Sequence, residues 1–321
     1  MHRPPATVTA SALPPLEQLE LVSTADGRRI AFSQLGDRQG EPIIYAHGFP
    51  SSRREAWLVH AAARAVGARI ISIDRPGYGD SDPAPGRLIG DWPEDARQVA
   101  DQLGLERFTL LGVSGGGPYV LACAWRLAQV ASPAAAQAPS CRQGRIKACG
   151  LVCPLGPIYR DEQLQQMHWA ARMNLSIGKQ AEWLSSLVFG GPTTSLLEHW
   201  PALVEHTRSL AAPAADRAVL SDPETNAILN RTIADAMRNG APGARRDLHL
   251  YMHDWGIPFP RIELPIRIWH GQADGTVPID HARWYAEQLP NAQLTELPDE
   301  GHYSVPFRYS RQILGELIDS I

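Results

Sequence analysis

Ser114 stands in Gly112-Val113-Ser114-Gly115-Gly116, directly after the apolar run Phe108-Thr109-Leu110-Leu111 and before the helix-forming stretch Tyr119 to Leu127. A serine on a sharp strand-to-helix turn adopts a strained backbone that lifts its hydroxyl into the open. Glycines two places before and two places after leave room for the neighbouring main chain. A serine that merely capped the helix would not need glycines on both sides. The pattern is that of a nucleophile elbow. A serine hydroxyl is a poor nucleophile at its own pKa, so it needs a base and an acid that orients the base. Asp274, in His270-Gly271-Gln272-Ala273-Asp274, follows the strand-like Ile266 to Trp269. His302, in Asp299-Glu300-Gly301-His302, follows the strand-like Ala292 to Leu297. A hydroxyl, a carboxylate and an imidazole thus each lie just past an extended run, and strands ending at one edge of a sheet would bring them together.

The elements that must position them alternate. Strand candidates, rich in β-branched residues and bounded by Gly, Pro or Asp, are Gln18 to Ser23, Ile30 to Leu35, Ile43 to Tyr45, Arg69 to Ile73, Phe108 to Leu111, Lys147 to Val152, Ile266 to Trp269 and Gln293 to Leu297. From the third onward, helical segments intervene: Trp57 to Val66, Pro93 to Leu103, Tyr119 to Leu127, His281 to Gln288 and Tyr309 to Ser320. This predicts an α/β fold, a mostly parallel eight-stranded sheet with helices on both faces and an antiparallel lead-in from the first strands. Between Val152 and Ile266 the alternation stops. That stretch reads as helices only, with Trp169, Met173, Trp183, Leu184, Leu187, Trp200 and Leu203 among its apolar positions. The expected organisation is a core of residues 16–153 and 257–321, a helical cap of 154–256 over the C-terminal strand ends, and a flexible N-terminal segment of 1–15. A low-complexity surface loop, 131–144, should lie far from the chemistry.

Composition narrows the class. The chain has 321 residues, 44% of them hydrophobic and 20% charged, enough to bury a sizeable core and too apolar for disorder as a whole. A net charge of -4, with only short basic pairs such as Arg53-Arg54 and Arg245-Arg246, leaves no electrostatic footprint for nucleic acid. Met1 to Pro15 holds no apolar core of a signal peptide, and no segment reaches membrane-spanning length, so the expected location is the cytoplasm. The four cysteines, Cys123, Cys141, Cys149 and Cys153, have neither zinc-knuckle spacing nor the density of a disulfide scaffold. They read as small buried thiols. His249 and His253, four apart on a predicted helix, have metal-ligand spacing, yet no third ligand accompanies them in sequence. The expectation is therefore no cofactor and no metal.

With these pieces in place, the chain resembles the α/β-hydrolase superfamily, specifically its capped serine-hydrolase branch, over roughly Leu19 to Ile321. The resemblance rests on four motifs in order: His47-Gly48-Phe49-Pro50, Asp74-Arg75-Pro76-Gly77-Tyr78-Gly79-Asp80-Ser81, the elbow at Ser114, and the Asp274 and His302 loops. The chain order Ser, Asp, His is the order this fold uses. Some relatives place the acid after the sixth strand; here that strand ends in Cys153-Pro154-Leu155-Gly156-Pro157, without a carboxylate. Asp161, Asp247 and Asp254 are rival carboxylates, none just past a core strand, and solvated or capping roles suit them. The resemblance implies an oxyanion hole from the backbone N–H groups of Phe49 and Gly115, a loop-organising role for His47, and a buttress behind the elbow from Asp74 to Ser81.

It also separates reaction classes. Epoxide hydrolases and haloalkane dehalogenases of this superfamily attack with a carboxylate, and Ser114 argues against both. Prolyl peptidases need acidic residues for a free amino terminus, a role into which Glu182, Glu198 or Glu205 are not placed by any motif. The expected activity is cofactor-independent hydrolysis of a small or medium carboxylic ester, or of a thioester or lactone, through an acyl-enzyme on Ser114 with His302 as base and Asp274 as acid. The expected partner is a small-molecule ester, with a homodimer left open. Two alternatives stand beside it: a ligand receptor that retains the triad, and a carbon–carbon hydrolase or lyase.

Overall fold

A computed structural model of the chain describes residues 19–128, 144–169, 172, 175, 176 and 212–320. Cys141, Met173, the tryptophans at 183 and 200, the leucines at 184, 187 and 203, and the glutamates at 182, 198 and 205 lie outside these residues. So do residues 1–15 and all but the last residue of the 131–144 segment. Eight strands form one sheet: β1 (Glu20–Ser23), β2 (Arg29–Gly36), β3 (Glu41–Ala46), β4 (Ala68–Ile73), β5 (Phe108–Val113), β6 (Ile146–Val152), β7 (Ile266–Gly271) and β8 (Ala292–Leu297). Their order across the sheet is β1-β2-β4-β3-β5-β6-β7-β8. β1 with β2 and β2 with β4 are antiparallel, and every other pair is parallel. The antiparallel lead-in is as the missing helix between the first runs predicts.

Why the central strands are parallel is visible in their burial. Every residue of β5 is buried, and successive residues serve opposite faces. Ile44, Leu110, Leu151 and Ile268 enter the core on one face, whereas Tyr45, Leu111, Val152 and Trp269 enter the core on the other. A period of two with both phases apolar needs helices above and below. The described helices are α1 (His60–Ala65), α2 (Trp92–Gln102), α3 (Gly117–Leu127), α4 (Asp161–Gln166), α5 (Ala214–Leu220), α6 (Pro223–Met237), α7 (Pro242–Tyr251), α8 (Ile279–Gln288), α9 (Ser304–Arg308) and α10 (Ser310–Ile318), of which α1, α2, α3, α8, α9 and α10 lie against the strands. One predicted helix is divided: the run expected over 57–66 begins as a 3-10 turn, Arg53–Val59, before α1. The run expected over 309–320 is the single helix α10, and the short α9 before it is an additional helix.

Between β6 and β7 the described residues form helices and turns, with no strand among them. α6 starts where Asp222 accepts the Thr225 N–H at 2.8 Å and Pro223 opens the first turn. It then packs against the Arg53–Val59 turn. Trp169 is 62% exposed, so it does not join the core. No helix among the described residues is long and apolar enough to cross a membrane.

Candidate active site

β3, β5, β7 and β8 run parallel and end at one edge, so the four loops that follow them share that edge. At the end of β5 the chain turns so tightly that Ser114 has φ 52°, a left-handed conformation costly for a residue with a Cβ. Its glycines are there for space. A Cβ on Gly116 would lie 2.1 Å from the Ala46 carbonyl oxygen, and one on Gly112 would lie 2.9 Å from Gly116 O. The serine that results is almost enclosed, with 9% of its surface exposed, all that a cavity beside it requires.

Ser114 Oγ lies 3.1 Å from His302 Nε2, and His302 Nδ1 lies 2.8 Å from Asp274 Oδ2. The three residues singled out in sequence thus form one hydrogen-bonded row. Asp274 Oδ1 accepts the backbone N–H groups of Thr276 and Val277, both at 2.8 Å. Burial alone would raise its pKa, but His302 and His270 outweigh this and hold the carboxyl well below the usual range. For His302, burial opposes protonation and the Asp274 carboxylate overcomes it, so the imidazole is held above its ordinary value. Phe49 and Gly115 flank the hydroxyl, Phe49 on the loop after β3 and Gly115 next to Ser114 itself. A Cβ on Gly115 would lie 2.7 Å from Phe49 Cβ, so the two chain segments meet.

His47 is fully buried with Nδ1 2.9 Å from Gly48 O, and its Nε2 accepts the Arg75 N–H at 3.3 Å. Burial, with Arg75 beside it, keeps it neutral. Asp74 is also fully buried: it accepts the Arg53 N–H at 2.7 Å and pairs with the Arg53 guanidinium. The Arg53-Arg54 pair is therefore no surface feature.

Asp247 corrects the sequence reading, which gave it a solvated or capping role. It is fully buried and pairs with Arg75 at 2.9 Å and with Arg87, while Tyr78 and Tyr119 also donate to it. Burial opposes its charge, yet Arg87 and Arg75 hold it ionised far below the usual range. Asp161 and Asp254 stay exposed, and Asp254 accepts the Gly256 N–H at 3.0 Å. Sequence reasoning also passed over Asp216 in α5. Its carboxylate accepts the backbone N–H groups of His302 at 2.9 Å, Tyr303 at 3.0 Å and Ser304 at 2.8 Å. No local signal marks Asp216, because its partners are more than eighty residues away; the one trace is Gly301, where a Cβ would meet Asp216 at 2.4 Å.

The cavity at Ser114 encloses about 830 Å³ including its open mouth. Its walls are mostly apolar: Leu58, Val59 and Val113 on the sheet side, Val219, Leu229 and Ile233 from α5 and α6, and Pro306 with Phe307 from α9. Glu55, also missed in sequence, is part of the same wall.

His249 and His253 stack with ring centroids 4.1 Å apart, and His253 Nδ1 lies 2.8 Å from His249 O. Among the described residues, the group close enough to share a metal ion is instead Cys153, His270 and Asp274, all buried. Its carboxylate is already engaged by His302 and His270, and burial with Asp274 nearby pushes the Cys153 thiol up, so the set suits a closed packing cluster better than a cation. Cys123 and Cys149 are buried free thiols, as expected.

Residues 41–309 match the family model described as the alpha/beta hydrolase fold. The chain is 32% identical over 97 residues to a non-heme chloroperoxidase of Streptomyces lividans, a match covering 30% of this chain and 35% of that protein. It is 23% identical over 291 residues to a non-heme chloroperoxidase of Kitasatospora aureofaciens, covering 88% of this chain and 92% of the relative. An esterase from Exiguobacterium antarcticum superposes with a TM-score of 0.66 at 19% identity, over 93% of this chain and 97% of that one. With its mostly parallel eight-stranded sheet and a family match running through most of its length, this chain belongs to the α/β-hydrolase fold family.

Proposed function

We propose that the protein is a serine hydrolase of small or medium carboxylic esters. The observation that carries this reading is the row Ser114 Oγ, His302 Nε2, His302 Nδ1 and Asp274 Oδ2, with links of 3.1 and 2.8 Å, at the wall of an apolar cavity. Ser114 attacks the ester carbonyl carbon while its proton passes to His302 Nε2. The imidazolium that forms is stabilised by Asp274, which also fixes the ring so that Nε2 faces the serine. The Phe49 and Gly115 N–H groups receive the negative oxygen of the tetrahedral intermediate. The C–O bond to the alcohol then breaks, His302 returns its proton to the leaving oxygen, and Ser114 holds the acyl group. Water, deprotonated by His302, attacks this ester and releases the acid with Ser114 restored. The segment 154–256 acts as the cap, and the apolar side chains of α5 and α6 in the cavity support an apolar acyl or alcohol group there. Thioesters and lactones present the same electrophile to the same groups.

A fluorophosphonate probe tests the reading: the native chain becomes labelled and Ser114→Ala does not. An ester panel of graded acyl length then gives many turnovers per chain, with apolar esters preferred. Labelling that survives Ser114→Ala moves the nucleophile elsewhere. A native chain that stalls after one turnover is a receptor rather than an enzyme.

A further inference from the structure

Apart from His302, Glu55 is the one acidic or basic side chain lining the Ser114 cavity among the described residues. Its Oε1 accepts the Tyr45 hydroxyl at 2.8 Å and the Gly48 N–H at 3.0 Å, and its Oε2 shares that same N–H at 3.1 Å. The Ser51 hydroxyl, on the same wall, is a further hydrogen-bond partner of this carboxylate and opposes the effect of burial on it. A carboxylate offers about four lone-pair sites, so with the Tyr45, Gly48 and Ser51 donors Glu55 keeps capacity for one more toward the cavity. Holding Tyr45 and Gly48 does not require a charge, because the carbonyl oxygen of a glutamine would accept both. A charge here is also costly. Burial pushes the Glu55 carboxyl above its ordinary value, and a negative group beside the oxyanion loop opposes the charge that develops there. A hydrogen-bond donor on the substrate relieves both costs.

The space for such a donor is present. A Cβ on Gly48 would stand 3.0 Å from Glu55 Oε2 and 3.6 Å from Ser114 Cβ. Gly48, Glu55 and Ser114 all line the same cavity, and the approach at Gly48 is so close that an added methyl would crowd the carboxylate. A donor that reaches Glu55 from this part of the cavity sits on the acyl chain close to the reacting carbonyl.

We propose that Glu55 is a specificity-determining residue that accepts a hydrogen bond from a hydroxyl or ammonium group on the α or β carbon of the acyl chain. The proposal rests on the reading of Ser114 as nucleophile. The substrate is then an α- or β-substituted acyl ester with an apolar remainder, and a free carboxylate at the same position is repelled.

The experiment compares kcat/KM for ethyl butyrate, ethyl 2-hydroxybutyrate, ethyl 3-hydroxybutyrate and ethyl 3-aminobutyrate in the native chain and in Glu55→Gln. The native chain prefers at least one donor-bearing ester by about tenfold, the size expected of a hydrogen bond to a charged group. Glu55→Gln reduces the hydroxyl preference to about twofold and abolishes the ammonium preference. In parallel, butyramide, 2-hydroxybutyramide, 3-hydroxybutyramide and 3-aminobutyramide are titrated into the Ser114→Ala chain, so that binding is read without turnover. Failure of the nucleophile reading appears as no ester hydrolysis with the binding preference intact. Equal binding of all four amides overturns the proposal whatever the turnover, as does a preference that survives in Glu55→Gln. If Glu55→Gln does not fold, the native preference is tested with Gly48→Ala, whose methyl would stand 3.0 Å from Glu55 Oε2 and block approach to it, and which must cancel the preference in the amide titration.

Discussion

Arg75 Nη2 donates to the carbonyl oxygen of Gly48 at 2.9 Å, and its Nη1 donates to His47 O. Gly48 C=O and Phe49 N–H belong to one planar peptide unit, so the guanidinium sets where the Phe49 N–H points and polarises it. The same arginine is held by Asp247 from α7, and Tyr251, also in α7, donates to Gly115 O at 2.7 Å. One helix thus braces both chain segments that flank Ser114.

Arg75→Met removes that brace. With the Phe49 N–H as the proposed oxyanion donor, the expected outcome is a fall in kcat of about a hundredfold with KM little changed. Steady-state kinetics on a good ester checks it, and an equal rise in KM would argue that the arginine serves binding instead.

Asp247→Asn leaves Arg75 and Arg87 buried without their counter-charge. Breaking a buried pair in this way costs about 3–5 kcal/mol, to be read from chemical denaturation. The native chain should also lose stability on acidification. The folded Asp247 carboxyl binds its proton far less readily than the unfolded one, so its contribution is present above about pH 4 and is lost as pH falls below that. A denaturation midpoint that is flat between neutral pH and strong acid would contradict this.

His302 is held above its ordinary value, so kcat/KM should fall toward acid with a midpoint above about 6.5, as the imidazole takes up a proton and ceases to be a base. Because folding raises this pKa, the His302–Asp274 pair stabilises the fold below the ordinary histidine range, and that contribution is lost as pH rises through the folded-state value. Asp274→Asn should move the kinetic midpoint down and lower kcat about ten-thousand-fold. A pH–rate profile of both chains is the measurement.

Ser114→Gly relieves a residue held at φ 52°. Removing the Cβ should raise unfolding free energy by about 1 kcal/mol while abolishing fluorophosphonate labelling. A loss of stability would mean that the Ser114–His302 hydrogen bond outweighs the strain.

Asp216→Ala leaves the N–H groups of His302, Tyr303 and Ser304 without their shared acceptor. The expected outcome is a loss of about 1–3 kcal/mol and a lower kcat from a loosened His302 loop. Comparison with Asp216→Asn, which keeps one acceptor oxygen, separates loop positioning from charge: the asparagine variant should recover part of kcat.

What could be read along the chain was whatever is encoded locally. All eight strands lie within a few residues of the predicted runs. The central ones were clearest, because a fully buried parallel strand needs contiguous apolar residues, as in Phe108–Val113. Ser114 announced itself through glycines that are needed for close approach, and Asp274 and His302 through their places just past strands. The division of the helix at 53–65 was not legible, since apolar periodicity does not resolve a change of helical pitch.

Tertiary structure alone decided the partners of the buried charges. Asp247, Asp216 and Glu55 look in sequence like ordinary surface carboxylates, with polar or small residues around them. Their roles come from groups that only the fold brings to them: Arg75 and Arg87 for Asp247 and the His302 loop for Asp216, all more than eighty residues away, and the β3 end, 7 to 10 residues back, for Glu55. A charge is tolerated in the interior only where folding delivers its partner, and that delivery is a property of how strands and helices stack, which no local pattern records.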